Sequence, residues 1–221
     1  MTSKALDMAA GSAPAHLHGI VLGELRARNV SADAPLLDVG CGQGQLLSRL
    51  QAAGYRNLCG CDALTTPRSL TAPTRYVRAE LNTPLPFQHD RFDVVTSIEV
   101  IEHLENPRAH VRELHRVCRP GGLVILSTPN TESLLSKASF LARGHFNYFG
   151  EADYPAHITP LLPIDLRRIF AEAGFAAFTH RFSNWGRIIK TAKHWQQLIR
   201  PPGNPIGSKS FSDHIFILAT K

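Results

Sequence analysis

Two carboxylates and an imidazole stand close together in the stretch EVIEHLENP, which begins at Glu99. Glu99, Glu102 and His103 fall at positions i, i+3 and i+4, so a helical turn would present all three on one side. The stretch follows the apolar run FDVV, which is typical of a strand buried on both faces. These side chains are therefore available for chemistry at the end of a predicted strand.

A second candidate site is the glycine-rich loop in PLLDVGCGQGQLLSRL. Gly40, Gly42 and Gly44 stand at alternate positions between two apolar runs, which predicts a tight strand-to-helix turn that a ligand can approach closely. The dinucleotide-binding pattern has its third glycine three residues after the second, and Gln45 occupies that position here. The Lys and Ser or Thr of a phosphate loop are also missing. Asp38, at the base of the turn, favours a ligand with a positive charge over a pyrophosphate.

A carboxylate also ends the second predicted strand, RNLCGCDA, at Asp62. In open α/β sheets, ligands bind beyond the carboxyl ends of the strands, and an acid at this point accepts hydrogen bonds from ribose hydroxyls. Because Asp62 comes in phase with the glycine loop, it indicates a ligand that contains adenosine.

Helices alternate with strands along the chain, and this order would hold these groups at one edge of a sheet. Apolar spacing and capping residues predict helices over residues 14–30, after the glycine loop, from Asn106, and over PIDLRRIFAEAG. The predicted strands are LLDV, RNLCGCDA, RYVRAEL, RFDVVTSIE, LVILSTPN, FAAFTHRF and DHIFILAT. Residues 131–162 are expected to be irregular. The predicted fold class is α/β, with a mostly parallel sheet covered by helices on both faces.

Three blocks of the sequence, in this order, resemble the class I methyltransferases that use S-adenosylmethionine: LLDVGCGQGQLLSRLQAAGYRNLCGCDA, FDVVTSIEVIEHLENP and RPGGLVILSTPN. The likeness covers about residues 33–180 and implies a Rossmann-like sheet of seven strands whose last strand runs antiparallel. It places Gly40, Gly42 and Gly44 around the methionine and ribose, Asp62 at the ribose, Glu80 and Leu81 beside the adenine, and Ile98 and Glu99 near the sulfonium. Asp38 completes the predicted cofactor-binding set. The family often has Asp or Asn where Glu80 stands.

Within that family, the stretch EVIEHLENP is similar to two branches. One contains the ubiquinone-pathway O-methyltransferases, which share the EH element, a PGG strand start and a later His-containing segment. The other contains the small-RNA ribose methyltransferases, in which two Glu and one His at this spacing hold a divalent metal with a second His downstream. That likeness implies Glu99, Glu102, His103 and His157 as ligands of an octahedral site with open positions. Relatives without a metal carry the same stretch, so a pocket without an ion is the alternative interpretation.

Methyl transfer from a sulfonium is a single in-line displacement. The expected task of the protein is to hold the acceptor and the methyl group in near-attack geometry with water excluded. A base assists an oxygen nucleophile, and His103 and His157 are the candidates, with Glu99 as a further pocket residue. A divalent metal would instead lower the proton affinity of the hydroxyl.

The 221 residues, of which 43% are hydrophobic, are enough for one domain with a substantial core. We expect one methyltransferase domain over residues 1–221, divided into an N-terminal helix (1–32), a cofactor-binding core (33–130), a substrate-capping insert (131–162), and a C-terminal helix with the last two strands (163–221). The insert is aromatic, with Phe146, Tyr148, Phe149 and Tyr154. It either folds over the transfer site and stacks on a planar substrate or packs on its own side chains.

The net charge of +6 is spread along the chain, which favours a solvated surface over nucleic-acid binding. A segment with Arg187, Lys190, Lys193 and Arg200 keeps an RNA surface open as the alternative. The four cysteines lack zinc-like spacing, the first residues lack a signal-like apolar stretch, and no apolar run is long enough to cross a bilayer. These features predict a cytoplasmic protein without a membrane span.

The sequence therefore predicts an S-adenosylmethionine-dependent methyltransferase that acts on an oxygen atom of a small molecule or of a cell-envelope or quinone-type precursor. The alternatives are RNA ribose methylation with a divalent metal, an adenosine-dependent oxidoreductase, and a non-catalytic cofactor-binding module. No motif identifies the methyl acceptor or the oligomeric state.

Overall fold

Seven strands form one mixed sheet in the order β3-β2-β1-β4-β5-β7-β6. The computed structural model describes residues 13–64, 67–183, 185–188, 191, 193–195 and 209–221. Within them the strands are β1 Leu36–Val39, β2 Leu58–Asp62, β3 Arg75–Arg78, β4 Phe92–Ile98, β5 Cys118–Pro129, β6 Ala177–Phe182 and β7 His214–Thr220. The first five strands in this sheet order, β3, β2, β1, β4 and β5, pair in parallel with their neighbours. β7 pairs antiparallel with both β5 and β6. The predicted α/β sheet with an antiparallel last strand is confirmed.

The central strands are apolar because both faces of the sheet are covered. Every residue of β1 is buried, and so is every residue of β4 except Asp93. A strand in this position needs apolar side chains along its whole length and not only at alternate positions. The edge strand β6, by contrast, alternates between exposed and half-buried residues.

In the described part of the chain, five α-helices and a short 3-10 turn connect the strands. They are α1 Ala15–Ala27, α2 Gln45–Ala52, the 3-10 turn Ile101–His103, α3 Pro107–Val117, α4 Leu134–Arg143 and α5 Pro163–Glu172. One apolar cluster packs α1 and α2 on the sheet and contains Leu36 of β1. A second cluster packs α3 and α5 and contains Leu37. Because successive strand residues point to opposite faces, the two clusters lie on opposite sides of the sheet.

The insert contains a helix, α4, where the sequence predicts irregular structure. Its buried residues are Ser136 and Ser139, whereas Phe140 and Leu141 are exposed, the latter by 85%. The apolar spacing therefore does not mark the buried face, and this inversion explains why the pattern fails to predict a helix.

The predicted RPGG turn is wrong, and other predictions concern residues outside the described ranges. β5 begins at Cys118, so the RPGG segment belongs to the strand and does not form a turn before it. Residues 1–12, together with Lys190 and Arg200 of the basic segment, lie outside the described residues. No helix within the described ranges is both long and apolar enough to cross a membrane.

Candidate active site

The glycine-rich loop joins β1 to α2 in a conformation that residues with a Cβ rarely adopt. Gly40, Gly42 and Gly44 have φ angles of +74°, +51° and +83°. A side chain at Gly40 would also collide with Val100. The alternate glycines thus allow the backbone to turn sharply at the carboxyl end of β1, where ligands bind in parallel sheets.

Asp62, at the end of β2, holds this loop from the neighbouring strand. Its Oδ2 accepts a hydrogen bond from the backbone N–H of Gly42 at 2.8 Å, and its Oδ1 accepts one from Leu64 at 3.1 Å. An ionised carboxylate has about four acceptor positions. Two backbone bonds therefore leave Asp62 able to accept hydrogen bonds from a ligand.

Asp38 is buried beneath the loop. Thr96 Oγ1 donates a hydrogen bond to Asp38 Oδ1 at 2.7 Å. Burial raises the pKa of Asp38 to about 7, with nearby Asp62 contributing, although the bond from Thr96 acts in the opposite direction. A positive charge in the adjacent pocket would favour the ionised form of Asp38, which agrees with the charge preference expected from the sequence.

One pocket, with a volume of about 290 Å³, joins the glycine loop to the Glu/His group. Its lining includes the predicted cofactor-binding residues Asp38, Gly40, Gly42, Asp62, Glu80, Leu81 and Ile98 together with Glu99, His103 and His157. Two predicted site residues are not part of its lining: Gly44, which precedes α2, and Glu102, which is fully buried. Most of the predicted cofactor-binding and catalytic residues thus share one pocket.

The imidazoles of His103 and His157 meet the carboxylate of Glu102 in a compact cluster. One potential ligand atom from each of the three lies within 4.8 Å of the other two. His103 Nδ1 is 2.8 Å from the carbonyl oxygen of Ala156, and His157 Nδ1 is 2.7 Å from that of Tyr148. Since a carbonyl oxygen only accepts, each Nδ1 carries the proton and each Nε2 keeps a lone pair.

The cluster has a buried oxygen without a partner. Glu102 Oε2 accepts a hydrogen bond from Thr128 Oγ1 at 3.0 Å, whereas Glu102 Oε1 has no hydrogen-bond partner among the described residues. Oε1 lies 4.0 Å from His103 Nε2. Burial raises the pKa of Glu102 to about 8 and lowers the pKa values of His103 and His157. Buried polar atoms are rarely left unpaired, so this oxygen is an unusual feature of the pocket region.

Glu99 does not join this cluster, so the structure does not assemble the four-residue set of Glu99, Glu102, His103 and His157. Its Oε1 accepts a hydrogen bond from Ser127 Oγ at 2.7 Å. The prediction assumed a helical turn from Glu99 onward, but the 3-10 turn begins two residues later. The Glu99 carboxyl therefore contacts Ser127 and His214 and is not part of the group formed by Glu102, His103 and His157.

Two pocket-lining histidines were not identified as site residues from the sequence: His18 of α1 and His214 of β7. His214 is the first residue of β7. Because β7 is antiparallel to β5, its beginning lies at the edge where the parallel strands end. The sequence analysis considered only residues that follow strands, and His214 begins one. The predicted antiparallel direction of the last strand was the signal that could have identified it.

The family described as "Methyltransferase domain" matches residues 21–180, which include every residue of the predicted site. The chain belongs to this methyltransferase family. The resemblance to class I S-adenosylmethionine-dependent methyltransferases, expected from the three sequence blocks, is confirmed.

Similar curated proteins include several named ubiquinone biosynthesis O-methyltransferase. The one from Pseudomonas aeruginosa strain UCBPP-PA14 is 36% identical over 110 residues, which cover 45% of this chain and 46% of that protein. The one from Psychrobacter arcticus is 32% identical over 161 residues, which cover 65% of this chain and 60% of that protein. The chain thus spans about half the length of the curated relatives it matches.

Solved structures with the same fold include two SAM-dependent methyltransferases. One, from Thermotoga maritima, has a TM-score of 0.64 and 17% identity over 92% of this chain and 90% of that chain. The other, from Archaeoglobus fulgidus, has a TM-score of 0.62 and 18% identity over 92% of this chain and 94% of that chain. The likeness at these identities concerns the fold, and it confirms the Rossmann-like architecture of this methyltransferase.

Proposed function

We propose that this methyltransferase transfers the methyl group of S-adenosylmethionine to a hydroxyl oxygen of a small, quinone-type aromatic precursor. The observation that carries the proposal is a single pocket that contains both the Asp62 loop and the imidazoles of His103 and His157. Donor and acceptor must meet in one site, because the transfer is a direct displacement. Family membership supports the donor, and the names of the curated relatives support an oxygen acceptor.

At the donor end, Asp62 would accept hydrogen bonds from the ribose hydroxyls, and the glycine loop would surround the methionine part. Glu80 and Leu81 would lie beside the adenine, and Ile98 near the sulfonium. Glu80 is exposed and its Oε1 accepts a hydrogen bond from the backbone N–H of Asn82 at 3.3 Å, so its carboxylate is already oriented at the pocket wall.

At the acceptor end, His103 or His157 would take the proton of the hydroxyl at its free Nε2. The carbonyl bound at each Nδ1 fixes the ring and its tautomer, and burial keeps both imidazoles unprotonated near neutral pH. The C–S bond of the donor breaks as the new O–C bond forms, which leaves S-adenosylhomocysteine and the methylated acceptor. The hydroxyl proton stays on the imidazole until solvent removes it.

The same cluster fits a divalent metal, which would replace an imidazole base. Glu102 Oε1 is buried without a partner in the described part of the chain, it lies 4.0 Å from His103 Nε2, and each of Glu102, His103 and His157 offers one ligand atom within 4.8 Å of the other two. Histidines that bind metals commonly donate their other N–H to a carbonyl, as His103 and His157 do here. When bound, such an ion lowers the pKa of a hydroxyl group that it contacts.

We infer that residues 131–162 cap the acceptor within one domain, in which 1–32 is the segment of the N-terminal helix, 33–130 is the cofactor-binding core, and 163–221 carries the C-terminal helix and the last two strands. Tyr148 and His157 of the insert line the pocket. The guanidinium of Arg187 lies over the Tyr148 ring at 4.8 Å and pairs with Asp213 at 3.3 Å. This cation of the basic segment is exposed but already contacts Tyr148 and Asp213, and the pocket is on the scale of small-molecule sites, so a small acceptor is favoured over RNA.

Release of S-adenosylhomocysteine tests the proposal. We expect turnover with hydroxylated benzoates or quinols and none with sugar nucleotides or small RNAs. Turnover with RNA alone would overturn the choice of acceptor. Thermal stabilisation provides a test of the donor that needs no acceptor, because a ligand that binds the native state raises its melting temperature. S-adenosylhomocysteine should stabilise the protein and NAD should not, and the reverse result would overturn the donor.

Chelation tests the metal. If the cluster holds an ion that acts in the reaction, EDTA treatment will abolish turnover and Mn²⁺ or Zn²⁺ will restore it. Calorimetric titration of Mn²⁺ or Zn²⁺ into the EDTA-treated protein should give one site, and Glu102→Gln should weaken it by at least tenfold. Turnover that is insensitive to chelation would leave the imidazole base as the mechanism.

A further inference from the structure

Glu99 is held in a backbone conformation that a glutamate rarely adopts. Its φ is +56°, and its side chain is only 14% exposed. Such conformations persist only where the surroundings impose them, and they concentrate at functional sites. Ser127 of β5 supplies part of this restraint. Its carbonyl and hydroxyl oxygens accept from the Glu99 N–H at 3.2 and 3.1 Å, and its hydroxyl donates to Glu99 Oε1 at 2.7 Å.

The second oxygen of Glu99 faces a histidine that has not been given a role. His214 Nε2 lies 3.5 Å from Glu99 Oε2. The imidazole is buried, with the rings of His16 and Tyr148 at 5.5 and 5.9 Å. Its other nitrogen, Nδ1, is buried and has no hydrogen-bond partner in the described ranges. The Nε2 side of the ring, which faces Glu99, is therefore where His214 makes its polar contact.

The contact between His214 and Glu99 suits either protonation state of the Glu99 carboxyl. Burial, with His16 and Arg187 nearby, lowers the pKa of His214 to about 3, so the imidazole is uncharged. Burial and the charge of Glu102 raise the pKa of Glu99. An ionised Glu99 accepts from the Nε2–H, and a protonated Glu99 donates to the Nε2 lone pair. In both states the pair has one donor and one acceptor that face each other.

Three neighbouring strands bring these groups together. Glu99 follows β4, Ser127 pairs with Ile98 across β4 and β5, and His214 pairs with Pro129 across β5 and β7. Because β7 runs opposite to β5, its first residue reaches the carboxyl edge of the sheet, where Glu99 lines the pocket. The arrangement thus depends on the direction of the last strand.

We propose that His214 is a positioning residue for Glu99 and that, with Ser127, it fixes the Glu99 carboxyl at the methyl-transfer end of the pocket. Ser127 alone restrains one oxygen, whereas restraints on both oxygens fix the plane of the carboxyl group. The separation of 3.5 Å is longer than a formed hydrogen bond, and contacts of this kind shorten when ligands bind. The inference rests on the proposed function, because it concerns the same pocket.

Kinetics of two variants at His214 test the inference with S-adenosylmethionine and 3,4-dihydroxybenzoate as substrates. His214→Leu removes the polar contact, and we expect kcat to fall by about 10- to 100-fold, the scale expected when a group that lines the reaction site is displaced. The KM for S-adenosylmethionine should change by less than about twofold. His214→Gln places an amide near the position of Nε2 and should recover most of kcat. His16→Leu removes a neighbouring ring that does not contact Glu99 and serves as the matched control.

Three outcomes would overturn the inference: an unchanged kcat in His214→Leu, equal losses in His214→Leu and His16→Leu, or no recovery in His214→Gln. A double-mutant cycle gives a further test, since residues that hold the same carboxyl are not additive. The loss in the Ser127→Ala/His214→Leu double variant should be smaller than the product of the two separate losses, and a full product would contradict the inference. If His214→Leu does not fold, the same cycle is run with His214→Phe, which also removes the polar contact and keeps a planar ring.

Activity of the wild-type protein tests the proposed function, and unfolding of variants tests the contact between Glu99 and His214 independently of activity. If the wild-type protein releases no S-adenosylhomocysteine with any acceptor tested, the proposed function fails. The contact is then judged by urea unfolding of Glu99→Gln, His214→Leu and the double variant. Additive shifts of the midpoint would overturn the contact, and non-additive shifts would support it.

Discussion

Asp62 has two tasks, because it accepts the amides of Gly42 and Leu64 and also lines the pocket. Asp62→Asn replaces an acceptor oxygen with a donor, so either a loop bond or a ligand bond is lost. A hydrogen bond to a charged group contributes about 1.5–3 kcal/mol. We therefore expect the calorimetric affinity for S-adenosylhomocysteine to fall about 10- to 100-fold.

Asp33→Asn is a suitable control for Asp62→Asn. Asp33 is an exposed carboxylate that pairs with Arg56 and lies outside the pocket lining. Its loss should leave the affinity within about twofold of the wild type, because exposed ion pairs contribute little. Equal affinities in Asp62→Asn and Asp33→Asn would contradict the ribose-binding role of Asp62.

Asp38 should make cofactor binding depend on pH. Its pKa is raised to about 7 in the free protein by burial. A bound cation favours the ionised form and lowers this pKa, so the affinity for S-adenosylmethionine should rise with pH until Asp38 is ionised in the free protein as well. Calorimetry between pH 5.5 and about 7.5 should show this rise together with proton release. Asp38→Asn should remove the contribution of Asp38 to the rise in affinity and to the proton release. An unchanged dependence of the affinity on pH in that variant would refute the coupling.

The predicted cofactor-binding residues that line the pocket are those that a local sequence pattern places. Asp38 lies in β1, Gly40 lies in the turn directly after it, and Asp62 is the last residue of β2. The sequence pattern of a strand and its turn is therefore enough to predict where they lie. Glu99 was placed with the wrong neighbours because the turn begins at Ile101, a shift of two residues that the letters do not show. His214 depends on which way a distant strand runs, so its place follows from tertiary pairing and not from its own surroundings.

At the scale of elements, α4 is a helix that apolar periodicity does not predict. Ser136 and Ser139 face the protein, and their hydroxyls bond to the backbone of the loop that follows. The apolar residues face outward, so the pattern gives no buried face. Its ends nevertheless carry ordinary signals: Ser133 accepts from the Ser136 N–H, and Gly144 has a φ of +80°.

Ser139 ties α4 to the segment that carries Tyr148, because its hydroxyl donates to the carbonyl of His145 at 2.8 Å. Ser139→Ala leaves that carbonyl without its donor, which destabilises the segment by about 1–3 kcal/mol. If the insert caps the acceptor, we expect the acceptor KM to rise severalfold while the affinity for S-adenosylhomocysteine stays within about twofold. Steady-state kinetics and calorimetry measure the two effects.

A variant elsewhere with a similar loss of stability separates capping from general destabilisation. Asn106 caps α3 through its side chain, which accepts from Ala109 N at 3.0 Å. Asn106→Ala should lower the free energy of unfolding by about 1 kcal/mol without changing the acceptor KM. A rise in KM that is the same in Ser139→Ala and Asn106→Ala would count against a capping insert.

At the scale of the whole molecule, the alternation of helices and strands was sufficient to predict a sheet covered on both faces. It does not predict how many ionisable groups the two cores bury. In the described part of the chain, eight histidines have a lowered pKa, with burial as the largest cause: His16, His18, His103, His110, His115, His157, His180 and His214. Three buried carboxyls, Asp38, Glu99 and Glu102, have a raised pKa. Stability must therefore depend strongly on pH.

The two sets act in opposite directions. Each buried histidine is neutral when folded and binds a proton more readily when unfolded, so acidification below its unfolded pKa of 6.5 favours unfolding. Each buried carboxyl keeps its proton when folded, so raising the pH from about 4 toward 8 also favours unfolding, by a smaller total because fewer groups contribute. We expect the free energy of unfolding to be greatest near pH 6.5 to 7 and to fall more steeply on the acid side.

His110 allows this dependence to be tested at one group. It is buried, its Nε2 lies 2.9 Å from Ser97 Oγ, and burial lowers its pKa to about 4. Between pH 6.5 and 4, the unfolded chain binds up to one more proton at this residue, which corresponds to about 1.4 kcal/mol per pH unit. His110→Gln keeps an amide near Ser97 but cannot titrate, so urea unfolding should show a shallower acid-side slope and an unchanged slope above pH 7. A slope between pH 5 and 6 as steep as that of the wild type would show that His110 is not neutral in the folded protein, and the burial argument would then fail for the histidines as a set.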